Sequence, residues 1–553
     1  MRILPRFATS ALTLAFVALG VFPAYATPEE AEEEAPVVAA MPQSDINALV
    51  FDVSEEVVLT VNVVNRTEEE LRLAAAVGLF KGDPVERAKA DEVAATGETV
   101  VFYGVKNPYA IKMLPGKIVA TGEAVVKTGE GTVKLDLGRV PPNFYMVDLQ
   151  MRREDKVLSS RKYPLGVFEN TAVEECKAPI YPVGLYTRFM QYKRKEPPIF
   201  WKTYLYAMAN DMRKHNINAY LVAGGFQEGE VDLANSHGIA GIDRSYGGMA
   251  QQGLGSFAHP GVIACFVKDE PKPGTQRMEE VRAEYEFLRG ATDKLFGTAM
   301  IGEHMGLGID KDPVLIWRDL QPTLRVFRWY GIKKHFYDVL HPVHYKGTLP
   351  YTSVLRVCEA SSDTPWWVIL PAFGKIGEDD FPEVYYQNPS PAQLECMTHL
   401  ACAYGADGLM YFEYQRGLVD PVTLQPRDGN WDRLGEVLNK IGKHAEMIAS
   451  IEHIGFDIRC PSPVVEAVPI KVGTEQEQNE QLGVYAVNKD PVNPVTTRIM
   501  LRHESWTWTT ARDVFEGKDI LVGPKGDDGY LSIPLKLAPG EGKLITTDAA
   551  ATR

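Results

Sequence analysis

The sequence predicts an α/β fold, a (β/α)8 TIM barrel flanked by N-terminal and C-terminal β-sandwich domains. Three observations predict it. Between about 176 and 454, short apolar segments alternate with helical periods eight times. Before that stretch, over 44–175, β-branched runs are separated by Gly and Pro turns. After it, over 455–550, the helical periods stop and short strands return.

The chain starts with Arg2 and Arg6 ahead of the apolar stretch Ala11–Phe22, whose 12 residues are too few to span a bilayer. Ala24-Tyr25-Ala26 is a small-x-small cleavage site. Residues 1–26 are therefore expected to be an export signal removed after Ala26, leaving a secreted or periplasmic protein with no membrane insertion. Residues 27–43, with Glu29–Glu34 between Pro28 and Pro36, read as an acidic linker. In the first sandwich, Val57–Val64 and Val133–Leu137 are candidate strands, and Gly129-Glu130-Gly131 and Pro141-Pro142-Asn143 are turns.

In the barrel, the eight expected strands are Tyr181–Arg188, Asn218–Ala223, Ile239–Arg244, Val262–Glu270, Phe296–Ile301, His335–Leu340, Trp366–Pro371 and Gly408–Tyr414. Phe200–Asn216 has helical period, with Tyr204, Met208 and Met212 on one stripe. A charged helix is expected over Thr275–Arg289 and a long closing one over Trp431–Ile451. Ser390 before Pro391 reads as an N-cap followed by proline at the first helical position, opening a helix to Tyr404. An open doubly wound sheet is the alternative, but no GxGxxG follows an early strand.

A formal net charge of −15 argues against nucleic acid and anionic membrane surfaces as partners, and weakly against a polyanionic substrate. Six cysteines are too few for a disulfide scaffold in a chain of this length. Cys265, Cys358, Cys396 and Cys402 fall in predicted strands and helices and read as buried thiols; Cys176 and Cys460 flank the central region and could pair. There is no CxxC, HExxH or clustered His spacing, so no metal and no cofactor is expected. Nothing in the sequence sets an oligomeric state.

The segment most informative about chemistry is Val262–Pro271. A nearly continuous apolar run reads as a strand buried on both faces, and Pro271 ends it beside Asp269 and Glu270. In a barrel, that end of the strand carries the active site. Two acids there suit acid/base work on a polar, uncharged substrate such as a sugar; the bland alternative is a cap for the next helix. The same rim would collect Asp243 and Arg244 from the third strand, Glu303 and His304 from the fifth, and His341 and His344 past the sixth. Trp366 and Trp367 open the seventh strand, so at least one reads as core; Phe373 lies past its far end, and Glu413, Tyr414 and Arg416 end the eighth. Aromatic faces stack on pyranose rings and carboxylates accept from hydroxyls, so the set points to a carbohydrate partner. Each His taken singly reads more readily as a structural hydrogen-bond partner or a surface residue than as a ligand. Arg244 and Arg416 read equally as salt-bridge partners of Asp243 and Glu413.

The Asp269-Glu270-Pro271 segment resembles the acid/base segment of secreted barrel glycoside hydrolases of the clan-A type, whose usual form is Asn-Glu-Pro. Trp366–Gly374, Pro389-Ser390-Pro391 and Gly405–Tyr414 are similar to a pattern met in such barrels, and Ala511–Lys518 to segments of their C-terminal sandwiches. The resemblance covers the mature chain loosely and is specific only at the fourth, seventh and eighth strands. It implies that Glu270 is the general acid/base, kept protonated by burial. It also exposes a departure. The family's nucleophilic Glu ends the seventh strand, where this chain has Pro371-Ala372-Phe373. The resemblance leaves Glu413 or Glu303 as the nucleophile, or Asp269 as the group that orients a substrate 2-acetamido group, as in the Asp-Glu pair of N-acetylhexosaminidases. The implied activity is hydrolysis of O-glycosidic bonds in a polysaccharide or oligosaccharide. A non-catalytic carbohydrate-binding or cell-surface scaffold protein is the alternative, favoured by the missing acid.

Overall fold

The computed structural model describes residues 37–40, 49–85, 99–103, 108–187, 198–222, 225–226, 229–245, 248–305, 308, 312–330, 350–360, 364–373, 388–420, 423–474, 477–502 and 509–547. The leader predicted over 1–26 lies outside them. So does most of the linker predicted over 27–43, apart from a strand, Val37–Ala40, that pairs antiparallel with Val61–Val64.

The central sheet is parallel throughout. Its strands in chain order are Val183–Thr187, Ala219–Val222, Ala240–Ser245, Val262–Val267, a fifth in two pieces (Leu295–Gly297 and Ala299–Ile301), Arg325–Arg328, Trp366–Pro371 and Gly408–Phe412. Each pairs with its neighbour in sequence, and the first pairs with the eighth. The first piece of the fifth strand pairs with the fourth strand and the second piece with the sixth, so the circuit closes through Thr298. This is a (β/α)8 barrel. Thr298 interrupts the fifth strand because its hydroxyl donates to the Val267 carbonyl at 2.8 Å and meets the Tyr285 hydroxyl at 2.8 Å.

Three strands differ from expectation in instructive ways. The fourth stops at Val267 because Lys268 and Glu270 take positive φ, +35° and +51°, and turn the chain before Pro271 is reached. The eighth stops at Phe412, followed by a cis peptide to Glu413. The sixth strand is Arg325–Arg328, whose shortness and charged ends leave little apolar pattern in the sequence. His335–Leu340, the segment expected there, lies outside the described residues.

Side chains on the strands alternate between two cores. Leu221, Ile242, Ala264, Phe266, Val326, Trp367, Ile369 and Met410 fill the barrel. Val222, Val262, Cys265, Phe327, Val368 and Tyr411 face the helices. Trp367 fits inside because residue 408 is Gly; a Cβ there would sit 2.7 Å from the indole nitrogen.

The flanking domains are antiparallel except for one parallel edge pair. In the first, a three-stranded sheet (Val37–Ala40, Val58–Asn65, Gly129–Asp136) accompanies a six-stranded one centred on Leu71–Val85 and Asn143–Arg153. In the last, a six-stranded sheet centred on Glu477–Asn488 and Gly542–Thr547 accompanies a three-stranded one, Asp457–Arg459, Val495–Arg502 and Leu531–Leu537. The helix Pro391–Ala403 is buried from Leu394 to Ala403, on every face. A helix buried all round must lie between two cores; it lies between the barrel and the last domain, where the His399 ring nitrogen meets the Tyr485 hydroxyl at 2.8 Å. Ser390 caps it and Gln393 closes the capping box. A second contact joins the same domains: Glu466 accepts from Arg356, Tyr404 and Lys489. The six cysteines are free thiols. Cys176 and Cys460 do not pair; the Cys460 thiol instead lies 3.8 Å from the Thr497 hydroxyl. No described helix is long and apolar enough to cross a membrane.

Candidate active site

The alternation that fills the barrel also places the residues at its C-terminal mouth. On the third strand Ile242 points inward, so Arg244 does too; on the sixth, Val326 is followed inward by Arg328 and Tyr330. Tyr186 from the first strand and Phe412 from the eighth complete this layer, with Phe373 past the seventh. The aromatic rings pack as one floor. Tyr330 meets Phe373 edge-on at 5.2 Å and Phe412 at 5.7 Å, Phe373 meets Phe412 at 5.4 Å, and Tyr186 meets Phe412 at 5.4 Å. The edge-to-face pairs among these, Tyr330–Phe373, Phe373–Phe412 and Tyr186–Phe412, favour a fixed arrangement beyond their buried area.

Two ion pairs sit at this floor. Arg244 binds Asp269 through Oδ2, and Arg328 binds Glu270. The Arg328 guanidinium also lies 5.0 Å from the Tyr330 ring centre, two residues along the same face. Of the two readings open for Arg244, substrate contact or an ion pair with Asp243, the structure shows neither: its ion pair is with Asp269. Asp269 Oδ1 is buried without a hydrogen-bond partner among the described residues. Burial pushes the Tyr330 phenol well up; Arg328 opposes this, while Asp269 and Glu413 add to it. Burial likewise pushes the Tyr186 phenol well up, with Asp269 adding to it and Arg244 and Arg328 opposing. Glu413 is itself 1 % exposed.

The structure thus brings together Asp269, Glu270, Arg244 and Phe373, and places Glu413 next in the chain to Phe412 of the same floor. It places other expected residues elsewhere. Asp243 has the outward parity of its strand and is buried against the helix layer, where Ser256 donates to it at 2.7 Å and burial raises its pKa. Trp367 is 1 % exposed in the barrel core. Tyr414 is fully buried on the far side of its strand, its hydroxyl donating to Asp211 and its ring edge-on to Trp431. His304 ends the short turn Gly302–His304 after the fifth strand. The side chains of Glu303 and Arg416 lie outside the described residues, as do His341 and His344 entirely. The apolar burial expected around Glu270 is absent; its side chain is 31 % exposed and ion-paired.

Tyr186, Arg328, Tyr330 and Phe412 are the mouth residues that sequence reasoning missed. The signal was present for the sixth strand: Val326, Arg328 and Tyr330 alternate with apolar Phe327 and Trp329. Among the described residues no group of three or more His, Cys, Asp or Glu could hold a metal ion.

No family model matches the chain, and no curated protein does. Solved structures similar to it include glycoside hydrolases. One is a family 39 enzyme from the gut symbiont Bacteroides cellulosilyticus WH2, at 12% identity over 91% of this chain and 99% of that one, TM-score 0.39. Another is an α-L-fucosidase of family 29 from Bacteroides thetaiotaomicron, at 10% identity over 68% and 96%, TM-score 0.39. A third is the β-glucuronidase of Parabacteroides merdae, at 10% identity over 93% and 75%, TM-score 0.30. With TM-scores below 0.5, these likenesses carry no weight for function, and the barrel rests on its own strand order.

Proposed function

We propose that the protein is an exported glycoside hydrolase that cleaves O-glycosidic bonds of an oligosaccharide or polysaccharide with carboxylates at the barrel mouth. The observation that carries this reading is the Asp269-Glu270 pair, held by Arg244 and Arg328 over the aromatic floor of Tyr186, Tyr330, Phe373 and Phe412. The floor offers a sugar ring an apolar face, and the carboxylates offer its hydroxyls acceptors. Glu270 in its protonated form gives its proton to the leaving oxygen, and the carboxylate that is left takes up the ion pair with Arg328. That carboxylate then draws a proton from the attacking water. Glu413, buried just past the eighth strand, is the nucleophile.

A second reading of the mechanism rests on Asp269 Oδ1. It is a buried acceptor beside Glu270 with no partner among the described residues, which fits the N–H of a substrate 2-acetamido group. In that case the acetamido oxygen attacks the anomeric carbon and Glu413 is dispensable.

The test is hydrolysis of a panel of natural glycans and aryl glycosides by wild type, Glu270→Gln, Asp269→Asn and Glu413→Gln. Glu270→Gln should lower kcat/KM on the natural glycan by about 10²–10⁴-fold and affect a nitrophenyl glycoside less. Full activity of Glu270→Gln would sink the assignment. Loss in Asp269→Asn with an active Glu413→Gln selects the acetamido mechanism. Binding without turnover in wild type selects a non-catalytic carbohydrate-binding protein. Export is tested separately: mass spectrometry of exported protein should find an N-terminus at Thr27, and an intact Met1 would refute it.

A further inference from the structure

We propose that Asp211, on the helix that follows the first barrel strand, is the residue that positions Glu413; this rests on the reading of Glu413 as a catalytic carboxylate. Asp211 lies near the end of the helix Pro198–Lys214, outside the barrel wall. Its Oδ2 accepts from the Tyr414 hydroxyl and, at 3.0 Å, from the Trp431 indole N–H. Tyr414 is covalently next to Glu413, so this bond fixes the chain one residue from the carboxylate. One helical turn before Asp211, Met208 receives the next residue, Gln415, whose Nε2 lies 3.7 Å from the Met208 sulfur. Two successive residues after Glu413 are therefore pinned to two positions, i and i+3, on one face of one helix.

The far side of Asp211 is also fastened. His215 stacks on Trp431 with ring centres 4.0 Å apart, and its Nδ1 lies 2.8 Å from the Asp211 carbonyl oxygen and 3.4 Å from Asp211 Oδ1. Beyond Tyr414 the chain makes a single π-helical turn, Tyr414–Leu418, in which the Gly417 N–H donates back to the Glu413 carbonyl at 3.1 Å. A turn of this kind exposes its first residues to no regular helical ladder, so side-chain bonds set its orientation. An ionised carboxylate is the suitable anchor, being acceptor-only and able to take both donors. Its charge-assisted bonds are about twice as strong as neutral ones.

Asp211 touches no substrate and acts only through Tyr414. Its loss should misplace Glu413 without altering how sugar is held by the floor. The experiment measures kcat, KM and Tm on an activated aryl glycoside for wild type, Asp211→Asn, Tyr414→Phe, the double variant and Glu413→Gln. Tyr414→Phe keeps the buried ring and removes only the donor, so it folds even where Asp211→Asn does not. The expected result is kcat lowered about 10–100-fold in both single variants, KM within about twofold of wild type and a double variant no worse than the poorer single. If both single variants lose Tm but keep wild-type kcat per folded molecule while Glu413→Gln is inactive, the positioning role is overturned and the catalytic reading of Glu413 stands. If Glu413→Gln turns over at the wild-type rate, or wild type cleaves no glycoside, the reading of Glu413 fails and takes the role of Asp211 with it.

Discussion

Arg328, at the end of the sixth barrel strand, pairs with Glu270, at the end of the fourth, reaching over the fifth strand between them. The fifth strand allows this because it is broken at Thr298 and passes into a short turn at Gly302. Nearby, the Glu270 amide donates to the Ala299 carbonyl at 3.0 Å, which fixes the acid's backbone against the same strand. The fourth and sixth strands thus act as one unit at the mouth.

Arg328→Gln tests that unit. The substitution removes the charge that holds Glu270 while keeping a polar side chain above Tyr330. Activity on a natural glycan should fall at least about tenfold, since a misplaced acid costs that much or more. Stability should change by less than about 1 kcal/mol, because the pair is partly exposed on both sides and screened by solvent. Denaturant melts beside kcat/KM separate the two; a large loss of stability with an unchanged specific activity would make the pair structural.

Tyr330→Phe and Tyr330→Ala divide the ring from the hydroxyl. The ring packs on Phe373 and Phe412, so Tyr330→Ala should cost about 3–5 kcal/mol, as a buried aromatic truncation does. Tyr330→Phe keeps the packing and should stay within about 1 kcal/mol of wild type while weakening sugar binding if the hydroxyl meets substrate. Calorimetric binding of an oligosaccharide to both variants is the check.

The sequence made the barrel legible because alternation of period two and period 3.6 changes eight times, and apolar strands such as Trp366–Pro371 are buried at every position. The sixth strand escaped because Arg325–Arg328 has only two apolar residues, and its charged ends hid both a strand and a site. At the site, Asp269 and Glu270 stood out as adjacent acids after an apolar run. Their arginine partners did not, since an ion pair between strands far apart in sequence leaves no local pattern. Asp243 and Tyr414 leave the mouth for different reasons. Asp243 has the outward parity of its strand, which is set only once the register is known. Tyr414 has the inward parity of Met410 and Phe412, but the strand stops at Phe412 and the turn after it carries Tyr414 outward to Asp211.

His399 gives a pH dependence with a definite sign. Burial, with help from Lys440 and Arg433, pushes its pKa down to about 3, so the ring is neutral in the native state. The unfolded chain, with an ordinary value of 6.5, takes up a proton as pH falls below that point and the native state does not. Stability from this residue is therefore complete above pH 6.5 and is lost as pH falls toward 3, by at most about 1.4 kcal/mol per pH unit. Glu395, 3.9 Å away, has its pKa raised by burial against the pull of Arg433, and works in the opposite direction above its ordinary value. Thermal melts from pH 7 to 4 should show a steeper fall for wild type than for His399→Gln; equal slopes would mean that the ring is not buried as a neutral group.

Gly417 provides the sharpest test of how the eighth strand end is held. A Cβ at this position would lie 1.3 Å from the Ala372 carbonyl oxygen and 2.7 Å from the Phe373 Cα, both backbone atoms. Ordinary contact begins near 3.4 Å, so no rotamer change relieves the overlap and the two strand ends must separate. They are joined where the Ala372 amide donates to the Phe412 carbonyl at 2.7 Å. Gly417→Ala should break that bond, move Phe373 out of the aromatic floor and carry Glu413 with it. The expected cost is about 2–4 kcal/mol, in the range of severe overpacking, with activity lost by more than about tenfold even in the fraction that stays folded. Pro or larger residues are not needed for the test, because the methyl alone supplies the clash. Urea denaturation with kcat per folded molecule gives both numbers, and a Gly417→Ala protein as stable and as active as wild type would show that the seventh and eighth strand ends do not pack as described.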